Sequence, residues 1–247
     1  MTSTTSVRRG LVVPSIAAAC AFAVLVGLGS WQVQRRAWKE GLIATVSERF
    51  AVPPAALPPP AEWARLDPAT DEFRRVRFTA ELLNDKEALV FTTGSSLHGG
   101  GAGPGYWVFT PARVLDRIVM VNRGFVPEDR KDPATRAQGQ IAGPVEIVGV
   151  MRWPEQPGLF TPAGEPTKNL WFARDPAAIA QAKGLAPVAP FYVEQESPPA
   201  PGGLPRAGKL QPTFPNNHLG YAITWYGLAL VLAGSFSVWF VGRLRGR

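Results

Sequence analysis

Two charge-free apolar stretches do most to decide what this chain can fold into. Residues 11–31 and 219–241 contain no Asp, Glu, Lys or Arg, and they run for 21 and 23 residues. Each is long enough, as a helix, to cross a hydrocarbon core that takes about 20 helical residues. Everything between them reads as water-soluble protein. The expected fold is a membrane protein with two transmembrane α-helices, one near each terminus, flanking a single β-rich α+β extracytoplasmic domain. The boundaries are a cytoplasmic tail over 1–10, a first helix over 11–31, a domain with Pro-rich connectors over 32–217, a second helix over 218–241 and a tail over 242–247.

Charge placement predicts the orientation. All 19 acidic residues lie between Glu40 and Glu196, and most of the basic residues that offset them lie in the same loop. Arg8 and Arg9 precede the first stretch, and Arg243, Arg245 and Arg247 follow the second. Basic residues in short tails favour the cytoplasmic side, whereas a loop this long translocates largely regardless of charge. Arg35, Arg36 and Lys39 argue the other way. The acid-free C-terminal tail decides the matter, because two spans force both termini to one side. The net charge of +7 therefore has a topological cause, and the expected partner is the lipid bilayer, with no nucleic acid. The first apolar run exceeds the roughly 7–15 residues of a signal-peptide core, so an uncleaved anchor is expected. No Arg- and Ser-rich amphipathic transit sequence precedes it. The expected location is the bacterial inner membrane, with both termini cytoplasmic and the main domain periplasmic.

The domain reads mostly as strand. Residues 72–81, 88–92, 106–114, 118–126, 144–153 and 191–196 are short and rich in Val, Phe and Tyr, and most are separated by Gly, Pro or charged turns. Six or seven strands in one β-rich domain make a small barrel the candidate architecture. A helical pattern covers Gln34–Phe50, as an extension of the first span, and Pro176–Lys183, where Asp175-Pro176 supplies an N-cap and a proline at the first helical position. The Pro-rich segment 52–60 reads as a stiff connector, Gly94–Gly105 as a mobile loop, and Ser197–Pro215 as the return to the bilayer. The only cysteine, Cys20, lies in the first span, so the domain is expected to be held by packing without disulfides.

Enzyme chemistry finds little support. There is no G-x-S-x-G elbow, no P-loop and no G-x-G-x-x-G opening a helix. A zinc site needs three or four His, Cys or carboxylate ligands, and the domain's one histidine, His98, sits in the glycine-rich loop. The expectation is a binding or scaffolding protein with no catalytic residues. His218 is different, because it stands where the second apolar stretch begins. Ionisable residues at membrane spans are costly and suggest function. At helical spacing His218, Tyr221 and Trp225 fall at i, i+3 and i+7, on one expected face. One reading is an interfacial histidine in an aromatic belt with Tyr226. The other is an imidazole that ligates a metal such as haem iron.

Five segments carry a resemblance. They are Leu28-Gly29-Ser30-Trp31-Gln32 with Arg35 and Trp38-Lys39, then Gly105-Tyr106-Trp107-Val108-Phe109-Thr110-Pro111, then Val121-Asn122-Arg123-Gly124-Phe125-Val126-Pro127. Asn169-Leu170-Trp171-Phe172 with Asp175 follows, and Pro215-Asn216-Asn217-His218-Leu219-Gly220-Tyr221 through Leu228 closes the series. Together, and in this order, they resemble the surfeit-locus family of cytochrome c oxidase assembly factors. The resemblance implies a non-enzymatic role in building the haem–copper oxidase, by helping haem a reach or settle into its largest subunit. It implies His218 as the haem a ligand, an axial ligand to the haem iron. Tyr221 and Trp225, with Asn217, are expected to shape that site by helical spacing. The implied partners are cytochrome c oxidase subunit I and haem A synthase. Gly29 is expected to let helices approach closely, and Gly124 to serve a turn or bulge. Arg123 is a candidate partner for a haem propionate or a carboxylate, an ordinary salt bridge being the simpler expectation. The alternative is a two-span periplasmic module that binds a small molecule or acts as a scaffold, unrelated to haem.

Overall fold

A computed structural model describes residues 3–93, 103–185, 187–208 and 216–245. Most of the glycine-rich loop, with His98, lies outside the described residues, as do residues 209–215 of the return to the second span. The chain divides into two compact units, one of Met1–Thr45 with Phe214–Arg247 and one of Val46–Thr213.

The larger unit is built on a five-stranded β-barrel. Its strands are β1 (Ala55–Ala56), β2 (Arg75–Leu82), β3 (Ala88–Thr92), β4 (Gly105–Val114), β5 (Arg117–Pro127), β6 (Pro144–Arg152), β7 (Leu170–Trp171) and β8 (Val188–Ser197). The sheet order is β1-β2-β6-β8-β5-β4-β3-β7, and a further pairing of β2 with β4 closes five of them into a ring. Around the ring the neighbours are antiparallel, apart from β5 and β8, which run parallel. Five strands with one parallel pair in this order make an OB-type Greek-key barrel. β1 and β7 are two-residue strands that the sequence pattern does not announce. They exist because β2 and β3 each offer an open edge to a passing extended segment. β1 thus lies inside the segment expected to be only a connector.

Alternation explains the barrel's inside and outside. Along β2, Val76, Phe78, Ala80 and Leu82 are buried in one core, whereas Arg77, Thr79 and Glu81 face solvent. β5 differs, because both of its faces are covered. Val119 and Val121 join the core with Val76, Phe78 and Phe191, while Ile118 and Met120 join a second core with Trp107, Phe109 and Ile179. A strand covered on both sides reads as a continuous apolar run, which is why Val119-Met120-Val121 lacks polar interruption. Ile179 comes from α3 (Pro176–Ala182), where Asp175 accepts a hydrogen bond from the Ala178 N–H at 3.0 Å. A four-residue helix, α2 (Pro68–Asp71), is capped in the same way by Asp67. On β5 the two residues Arg123 and Gly124 oppose the single Val108 of β4. This is a bulge, with Gly124 at φ +114° and its N–H donating to Asn122 Oδ1.

The smaller unit consists of α1 (Ser3–Ala51) and α4 (His218–Leu244). Both contain stretches long and apolar enough to cross a membrane. α1 runs unbroken through residues 34–50, so the span and the helical extension form one element whose last turns belong to the larger unit.

Candidate functional site

The first and last of the segments singled out in the sequence meet in the helical unit. Along α4 the less exposed positions include His218, Ala222, Trp225, Tyr226, Ala229, Leu232, Ala233, Phe236 and Phe240. They recur at spacings of three and four, the pattern of a helix that packs along one seam. α1 answers with buried Gly29 and Gln32. A Cβ at Gly29 would lie 2.9 Å from ring carbons of Tyr226, so glycine here is what lets that ring lie against the α1 backbone. The Tyr226 hydroxyl and Ser30 Oγ then share a hydrogen bond of 3.0 Å.

Near that contact, His218 Nδ1 lies 2.6 Å from Oε1 of Gln32. Gln32 is only 9 % exposed, which makes it a buried amide at the end of the charge-free run. An amide oxygen can only accept, so in a neutral imidazole this bond puts the proton on Nδ1 and leaves the Nε2 lone pair for another partner. Gln32 thereby fixes both the tautomer and the ring orientation. A ligating histidine normally has such a partner on its second nitrogen.

Of the three predicted site residues, His218 and Trp225 are half-buried and Tyr221 is exposed. His218 and Trp225 belong to the seam, with Ala222 between them at 2 % exposure. Tyr221 is 57 % exposed. Asn217 is exposed and makes no side-chain cap; its carbonyl accepts the Tyr221 N–H. Nothing in the sequence singles out Gln32 or Ser30 individually, although both lie in the quoted segments, and Tyr226 is marked only as part of an aromatic belt. Among the described residues Arg123 forms no salt bridge. Its guanidinium is buried in the barrel unit, donating to Asn84 Oδ1 at 3.3 Å and to the Gly139 carbonyl at 2.6 Å.

The donor set also limits what the helix pair is built to hold. Among the described residues no group of three or more His, Cys, Asp or Glu is arranged for a bare metal ion. A single free imidazole nitrogen suits an iron that brings its own equatorial nitrogens, as haem does. The residues present therefore fit a haem better than an isolated cation.

Comparison with known proteins covers both units. A family model described as SURF1 family matches residues 19–230. A SURF1-like protein of Monosiga brevicollis is 36 % identical over 231 residues, covering 90 % of this chain and 85 % of its own. Surfeit locus protein 1 of Homo sapiens is 36 % identical over 233 residues, covering 89 % and 74 %. The Takifugu rubripes protein of the same name is 35 % identical over 233 residues, covering 88 % and 92 %.

Proposed function

Because the chain belongs to the SURF1 family, we propose that it is an assembly factor for haem–copper cytochrome c oxidase, helping haem a reach or settle into subunit I. In this reading α1 and α4 cross a bacterial inner membrane, both termini are cytoplasmic, and the barrel unit is periplasmic. The chain is a carrier and not an enzyme.

His218 would hold the haem iron through Nε2. Gln32 holds the imidazole in the tautomer that keeps this lone pair free. Trp225 provides an apolar wall on the same seam, and Tyr226 with Ser30 locks the two helices beside it. Haem a, when bound, supplies the redox-active iron and an apolar macrocycle suited to a lipid environment. One exchangeable protein ligand suits hand-over better than storage. The barrel unit would dock on subunit I or on haem A synthase.

The observation that carries this reading is the Gln32–His218 hydrogen bond, since it gives the histidine a ligand's geometry. The test is to purify the His218→Ala and His218→Met proteins from cells that make haem a. Loss of haem from the alanine variant, and an altered optical spectrum in the methionine variant, are expected. An unchanged haem yield and spectrum in both would remove His218 from the site.

A further inference from the structure

The barrel unit carries a cleft of about 530 Å³, within the range of small-molecule sites. Its walls come from three connections. Asn84 and Glu87 follow β2, the first strand of the barrel; Lys131 and Gln140 follow β5, the third; Asn169 and Lys183 precede β8, the fifth. OB-type barrels bind ligands with the loops after the first strand and before the fifth. The fold thus places the cleft where such barrels bind, but the side chains must supply the chemistry.

They point to an anion. Glu87 is 4 % exposed, and its carboxylate is held by both terminal nitrogens of buried Arg136. Gln140 Nε2 donates to the same carboxylate at 3.4 Å, which leaves Gln140 Oε1 buried with no partner. Arg123 donates to Asn84 on the cleft wall and has no carboxylate of its own. Burial pulls its pKa down to about 10. Lys183 donates to Asn169 Oδ1 at 2.6 Å, and burial lowers its pKa, with Lys86 adding to the fall and the Glu87 charge opposing it. Lys131 is exposed on the cleft wall, and no salt bridge ties up its ammonium among the described residues. Positive charge here exceeds what the fold neutralises, and an acceptor waits for a donor.

We propose that this cleft binds a carboxylate that also carries a hydrogen-bond donor, with Lys131 and Lys183 holding the carboxylate and Gln140 Oε1 accepting from the donor. A phosphate dianion fits less well, because Asp85 and Glu87 also line the cleft and repel a second negative charge. No bare cation site competes, since Glu87 is already paired. The carboxylate is either a free hydroxy acid or an aspartate on a partner's chain, and the two sources are separable. The inference does not depend on haem binding.

The full chain in lipid nanodiscs is titrated by calorimetry with malate, with malamide, and with an acetylated, amidated serine-rich peptide containing one aspartate. Binding of malate or of the peptide is expected, with none for malamide. Lys183→Met should weaken it about tenfold and Lys131→Ala roughly fivefold. Malate alone would identify a free solute, and the peptide alone a partner's side chain; either supports the proposal. If Lys183→Met fails to fold, Lys131→Glu on an exposed position keeps the test alive. No binding of either probe up to about 10 mM, or unchanged binding in the lysine variants, would overturn it.

Discussion

Gln32 is the residue whose role the sequence hid best. It lies in a quoted segment, yet nothing local marks it, because its partner is 186 positions away. His218 was legible from its place at the edge of an apolar run, whereas the company it keeps depends on how two helices dock. Replacing Gln32 by Leu keeps the bulk and removes the acceptor. Loss of such a supporting partner typically weakens metal binding by about 10–100-fold, and a similar loss is expected in haem a retained by the Gln32→Leu protein. Gln32→Glu, which keeps an acceptor, should retain most of it. Nitrogen NMR of His218 in the haem-free protein checks the tautomer separately. Wild type should carry the proton on Nδ1, and Gln32→Leu should show a mixture.

Strands were easier to read than the polar groups between them. β2, with one face solvated, announces itself by alternation, and the core of β5 by its unbroken apolar run. The two-residue strands β1 and β7 have no such pattern, since a neighbouring edge decides their pairing. The pair Glu87–Arg136 was invisible for another reason: a Glu ahead of a strand looks like any solvated charge, yet both side chains are nearly inaccessible, at 5 % and 1 %. Breaking a buried pair by removing one partner leaves the other charge uncompensated, at about 3–5 kcal/mol. Glu87→Ala should therefore destabilise the barrel by about that amount in denaturant titration of the full chain. The double replacement Glu87→Leu with Arg136→Met, which removes both charges, is expected to cost far less. Equal losses in the two proteins would show that packing, and not the uncompensated charge, sets the stability there.

The proposed topology places every acidic residue on one side of a bilayer and the tails on the other, and the lone cysteine makes this simple to test. In a Cys20→Ser background, a cysteine at Leu159, which is 92 % exposed, should react with an impermeant maleimide added to intact spheroplasts. A cysteine added after Arg247 should react only once the membrane is opened. The reverse pattern would invert the orientation. The barrel itself is closed unevenly. β2 meets β6 over seven residue pairs, from Arg75 to Glu81, but meets β4 over only two, Glu81 with Arg113 and Leu82 with Ala112. The opposite end of β4 is taken by β3. Local opening costs least where the fewest contacts must be lost. In hydrogen-exchange terms, then, the ring is a curved ribbon fastened by a short clasp. Deuterium should enter the β2–β4 clasp well before it reaches the backbone of β5 and β8.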